Sequence, residues 1–253
     1  MTAKKRPPTT ICVASGKGGV GKTSLSVNLA YALVKSGSRV LLVDGDLGLA
    51  NVDLLLGIPI KQTIRNLLDE SGNPQDSLVF PIENLGILPA TSGVPEMVTL
   101  GPDEQSRLNG FIEDLAVGFD FVILDTAAGI GPSVLWFNRQ ALYNIVVLTP
   151  DPTSITDAYA LMKVMARQHP KNAFFTILNA VANEREGRKV YNNLQQVVSQ
   201  FLSMELELLG TIPADPAVNR AVKAQTPFIQ SEPECPAGMA VSTIAAKIEK
   251  WGK

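Results

Sequence analysis

Residues 16–23 read Gly-Lys-Gly-Gly-Val-Gly-Lys-Thr, and no other stretch of the chain limits the fold as tightly. They fit the phosphate-loop pattern Gly-x-x-x-x-Gly-Lys-[Ser/Thr], which functions only between a strand and a helix. The flanks supply both: an apolar β-type run at 9–15 and an amphipathic helical run from Lys22. Gly16, Gly18, Gly19 and Gly21 let the backbone bring its N–H groups close to phosphate oxygens. The helix start aims its dipole at the same oxygens. The expected ATP contacts run from Gly16 through Lys17, Val20, Lys22 and Thr23 to Ser24. Within that set Lys22 reaches the β- and γ-phosphates and the Thr23 hydroxyl ligates Mg²⁺. Lys17 is an extra loop lysine. On local grounds it is either solvated or a cation aimed at phosphate, including across a dimer interface.

The rest of the chain alternates strand-like and helix-like segments. Apolar runs fall at 9–14, 39–43, 85–88, 119–124, 144–148, 174–178 and 206–212. Several lack strict alternation, as strands buried on both faces do. Helical patterns occupy 24–35, 103–116, 154–168, 184–202 and 236–250. This order predicts an α/β fold, a mostly parallel doubly wound sheet with helices on both faces. With 253 residues, 45% of them apolar, one P-loop domain over 1–253 is expected, with 1–8 as a flexible tail. Lys4, Lys5 and Arg6 then form a solvated basic cluster, and His169 ends a helix in solvent.

Net charge is −2, which gives no bulk electrostatic reason for nucleic-acid binding. The two cysteines, Cys12 and Cys235, form no metal-type pair, and Cys12 reads as a small buried hydrophobe. The N-terminus lacks an apolar signal region, and no run has the length of a membrane span. A cytoplasmic protein is expected.

Two apolar runs lead into aspartates: 40–43 into Asp44-Gly45-Asp46, and 121–124 into Asp125. In open α/β sheets ligands bind beyond the carboxyl ends of strands, so both acids belong near the loop. Asp125 has the Walker B form and is a candidate Mg²⁺ ligand with Thr23 and Asp46. Asp46 is also a candidate for orienting the attacking water. Asp44 stays open between capping and a functional role, the chain being expected to leave the strand here. The segments after these acids, around Asn51 and Gly129, are candidate switches that order around a γ-phosphate.

The loop with Lys17, the run Asp44-Gly-Asp-Leu-Gly-Leu-Ala-Asn-Val-Asp53 and Asp125-Thr-Ala-Ala-Gly-Ile130 resemble the MinD/ParA branch of P-loop ATPases. The stretches 152–163, Asn179 with Glu186-Gly187, and 210–222 are similar to flagellar-number regulators of the FlhG and FleN kind. The resemblance spans about 10–251. It implies a slow, regulatory ATPase and a Mg-ATP-dependent homodimer in which each Lys17 reaches the partner's nucleotide. It makes Lys17, Lys22 and Asp46 the catalytic set and places Asn179, Pro213, Ala214 and Asp215 at the adenine. It implies flagellar partners, an SRP-type GTPase (FlhF) or a σ54-dependent activator of the FleQ type, with a transient visit to the inner membrane or a cell pole.

Two features depart from that pattern. The residues before the first strand lack the Asp-Gln-Ala-x-x-Leu-Arg type activator motif, which puts GTPase stimulation in doubt. The apolar stripe Val241, Ile244, Ile248 and Trp251 on the last helix reads as core packing rather than as a membrane-contact face. The alternatives are a MinD-type cell-division site regulator, a ParA-like DNA-segregation ATPase and an iron–sulfur carrier. They would need, in turn, a lipid-binding terminus, a basic surface and paired cysteines.

Overall fold

The computed structural model describes residues 7–68, 74–91, 100–168 and 173–252. The expected sites at Lys4, Lys5, Arg6 and His169 lie outside the described residues. Strand β1 (Thr9–Ser15) leads through the glycine loop into α1 (Lys22–Lys35), then β2 (Val40–Gly45), with short helices α2 (Val52–Leu56) and α3 (Ile64–Leu68) following. β3 (Val79–Ile82) and β4 (Leu85–Leu88) form a hairpin before α4 (Pro102–Ala116). From there strands and helices alternate: β5 (Phe121–Ala128), α5 (Pro132–Gln140), β6 (Tyr143–Leu148), α6 (Pro152–Gln168), β7 (Ala173–Val181), α7 (Glu184–Leu202) and β8 (Leu206–Pro213). α8 (Pro216–Lys223), α9 (Phe228–Ser231) and α10 (Pro236–Ile248) close the chain.

The eight strands form one sheet in the order β3-β4-β2-β5-β1-β6-β7-β8. All pairs are parallel except β3 with β4. The expected architecture is therefore present, with β1 near the centre and its loop at the carboxyl end, where α/β sheets take ligands. Successive residues of the central strands feed opposite cores, as the pleat requires. Cys12, Ala14, Leu41, Val43, Val122 and Leu124 pack under α3 to α7, while Ile11, Val13, Val40, Leu42 and Ile123 pack under α1, α9 and α10. Because both faces are covered, these strands read as unbroken apolar runs.

Two expected strand ends move. β2 continues through Asp44 to Gly45, and β5 runs past Asp125 to Ala128. The cause is mutual pairing: Asp44 is the Cα partner of Asp125, and Gly45 of Thr126. The two acids thus lie side by side on neighbouring strands rather than in separate turns. The stripe on α10 is core: Val241, Ile244 and Ile248 are buried, and Trp251 stacks on Tyr143 at 4.3 Å. Among the described residues no helix is long and apolar enough to cross a membrane.

Candidate functional site: a phosphate loop with two differently held lysines

The loop is shaped by its neighbours as much as by its glycines. A Cβ on Gly16 would sit 2.2 Å from the Asp157 carbonyl, so only glycine lets α6 pack against the loop. Gly21 adopts φ +86 directly before α1, a left-handed conformation that costs glycine nothing. Behind it, the Asn179 amide donates to the Val20 carbonyl at 2.8 Å, which braces the loop from β7. Gly18 and Gly19 have open space where a side chain would stand. A cleft of about 660 Å³ opens there, lined by residues 18–24 with Asp46, Asn51, Leu54 and Val222.

Lys22 is buried and donates to Asp125 Oδ1 at 3.0 Å, and the Ser26 hydroxyl donates to the same oxygen at 2.8 Å. Lys22 Nζ also lies 3.5 Å from Thr23 Oγ1. The other carboxylate oxygen, Asp125 Oδ2, is buried without a hydrogen-bond partner. A buried carboxylate with one orphaned oxygen and a threonine hydroxyl that shares its lysine are a donor set that suits a hard divalent cation. The residues present therefore fit Mg²⁺, with Thr23 and Asp125 as the inner candidates and Asp46 on the cleft wall.

Lys17 behaves otherwise. Its ammonium leaves the loop and pairs with Asp151 Oδ2 at 2.9 Å, with the Thr153 hydroxyl as a second acceptor. Thr153 in turn donates from N and Oγ1 to Asp151 Oδ1. Hydrogen bonds from Lys17 first, and then from Thr153, hold the Asp151 carboxyl well below the usual carboxylate range.

Asp46 accepts from the Leu49 N–H at 3.1 Å, and the Asn51 side chain donates to the Leu49 carbonyl, so this loop is internally tied. Gly129 N–H donates to Ser15 O, fastening the segment after β5 to the start of the phosphate loop. Asp44 is buried beside Asp125; burial first, and the Asp125 charge second, push its carboxyl up to about 7. Asp215 has a structural duty: it accepts from Ala217 N at the start of α8 and from Ala237 N at the start of α10. Ala214 N–H donates to Val181 O. Pro213 ends β8 as the Cα partner of Val181, just past the bulge that carries Asn179.

Three residues that matter here escaped the sequence reading. Ser26 lies one helical turn after Lys22 and so on the same face, a signal that was available. Asp151 follows the apolar strand β6 as Asp44 and Asp125 follow theirs, so strand-end logic would have reached it. Thr153 carried no separate signal.

A family model described as ParA, NUBPL iron-transfer P-loop NTPase, matches residues 7–249. The chain belongs to the ParA/MinD family of P-loop NTPases. Among curated relatives of this family member, the antiactivator FleN of Pseudomonas aeruginosa is 41% identical over 97% of this chain and 88% of its own. The flagellum site-determining protein YlxH of Helicobacter pylori is 36% identical over 84% of this chain and 72% of its own. Among solved structures, the septum site-determining protein MinD from Pyrococcus horikoshii in complex with Mg-ADP superposes with a TM-score of 0.81 at 28% identity, over 96% of this chain and 97% of that one. Of the two cysteines of this ParA/MinD chain, Cys12 is buried in β1 and Cys235 accepts from Gly238 N at the start of α10.

Proposed function

We propose that this chain is a Mg-ATP-dependent dimerising ATPase that regulates flagellar number or biosynthesis through protein partners. The observation that carries the switch reading is the placement of Lys17. A lysine in the phosphate loop that turns away from its own phosphate cradle is free to serve another molecule's nucleotide. The flagellar part is supported by the similarity to FleN and YlxH, and the nucleotide and metal by the Mg-ADP complex of the MinD relative.

In this reading the triphosphate draws Lys22 from Asp125 to the β- and γ-phosphates. Asp125, Thr23 and Asp46 would hold Mg²⁺, which would shield the phosphate charge when bound. Asp46 orients the attacking water. Lys17 leaves Asp151 and Thr153 and meets the nucleotide of a second copy. The segments at Asn51 and Gly129 sense the γ-phosphate. Gly16 to Ser24 contact the phosphates, while Asn179 and Pro213 to Asp215 flank the adenine. Turnover is slow because the product is a conformational state. The partners of the dimer are an SRP-type GTPase of the FlhF kind or a σ54-dependent activator of the FleQ kind, with no direct nucleic-acid contact.

Asp46→Ala is expected to bind ATP and accumulate as a dimer in light scattering. A variant that binds ATP and stays monomeric would count against the scheme. Pull-down with the ATP-locked variant from the native cell should recover flagellar regulators; recovery of division inhibitors would favour a MinD-type role. Burial of the α10 stripe weighs against a membrane-based MinD role for that helix.

A further inference from the structure

Asp44 is 1% exposed, and both its oxygens are taken by backbone N–H groups of a single loop. Asp46 N donates to Oδ1 at 3.1 Å; Asn51 N and Val52 N donate to Oδ2 at 3.1 and 3.2 Å. One carboxylate thus ties the first residue after β2 to the start of α2. The neighbouring backbone has no slack, because a Cβ on Gly45 would lie 2.9 Å from both the Asp125 carbonyl oxygen and the Phe137 ring. Across the pair of strands, the Cα partner of Asp44 is Asp125, which already holds Lys22.

A buried carboxylate beside a second one is an expensive way to cap a five-residue helix. An asparagine would cap α2 without adding a charge next to Asp125. What asparagine lacks is two oxygens able to accept from three converging N–H groups. The number of acceptors, rather than the capping alone, sets Asp44 apart.

We propose that Asp44 is a positioning residue: it clamps the 46–52 loop so that Asp46 is held in register with Asp125 and the phosphate loop, and it is not itself a metal ligand. This rests on the ATPase reading given above for what Asp46 does, while the clamp itself is a property of the protein without nucleotide. Displacing a reacting group's support by about an ångström costs on the order of a hundredfold in rate.

Asp44→Asn tests it. The variant removes a buried charge beside Asp125 and leaves part of the N–H set unpaired, two effects of opposite sign, so it is expected to fold and to melt within about 5 °C of the native protein. Amide hydrogen exchange in the nucleotide-free variant should quicken at least about tenfold at Asp46, Asn51 and Val52, with β1 and β5 unchanged. With Mg-ATP, kcat should fall roughly a hundredfold with KM nearly constant. Added to Asp46→Ala, the substitution should cost nothing further, because both act through one group. Unchanged exchange at those three amides overturns the clamp. So does an additive double variant, or a melting temperature that falls in step with kcat. Wild-type protein that binds ATP and never turns it over overturns the ATPase reading instead, and the exchange result still decides the clamp.

Discussion

Two lysines five residues apart in one loop meet two aspartates under opposite conditions. Lys22 and Asp125 are 8% and 1% exposed at 3.0 Å, while Lys17 and Asp151 are 38% and 46% exposed at 2.9 Å. The distances are alike, so the environment makes the difference. Inside the protein, removing one charge strands the other at high cost. At the surface, water and salt replace either partner cheaply. Without nucleotide the loop therefore has a fixed floor and a releasable rim. The floor suits a charge set that opens only when a bound triphosphate replaces the lost partner, and the rim suits a lysine that water and salt already release.

The sharpest way to break this contrast is Lys22→Ala. It leaves the Asp125 carboxylate buried with only Ser26 as a donor. The variant should lose about 3 kcal/mol of stability, read from urea unfolding of the nucleotide-free protein. It should also lose detectable binding of a fluorescent ATP analogue. A variant that melts with the wild type would show that the floor is not fixed.

Lys17→Ala comes next. Its stability and nucleotide affinity should match the wild type, because both its partners sit in solvent. Hydrolysis should fall on the order of a hundredfold, the usual cost of losing one group aimed at developing charge, and ATP-dependent dimerisation should fail in light scattering. Wild-type dimerisation in this variant would remove Lys17 from the mechanism and leave the rim as an ordinary surface ion pair.

The floor was legible in the sequence and the rim was not, for physical reasons. The glycine pattern works only in one strand–loop–helix context, and unbroken apolar runs such as Val40 to Val43 belong only to strands covered on both faces. That fixed Lys22 and Asp125 near each other. β3 escaped because it is a short edge strand with Pro81 inside it and Phe80 exposed, which is how edge strands hide from pattern reading. Asp44 stayed open because its partners are backbone N–H groups up to eight residues ahead, and no side-chain pattern announces them. Lys17 could not be placed because its partner Asp151 lies 134 residues away. Only the parallel pairing of β1 with β6 brings the two ends together.

Asp151→Ala should give the smallest effect and sharpen the comparison most. If the rim pair only parks Lys17, removing Asp151 takes nothing from the active arrangement and frees the lysine earlier. Dimerisation should then need about two- to fivefold less ATP or protein, the range expected for an exposed ion pair. The gain should shrink as salt rises, because salt screens the pair in the wild type and leaves the variant nothing to screen. Acid should mimic the substitution. The folded carboxyl of Asp151 is held below its ordinary value, so the pair is intact above that ordinary value and opens as pH falls through the depressed one. At neutral pH the latch is therefore closed and pH-insensitive. Light scattering against ATP concentration at low and high salt reads all of this. A variant that dimerises less readily than the wild type would mean that Asp151 acts in the dimer and is no mere parking place.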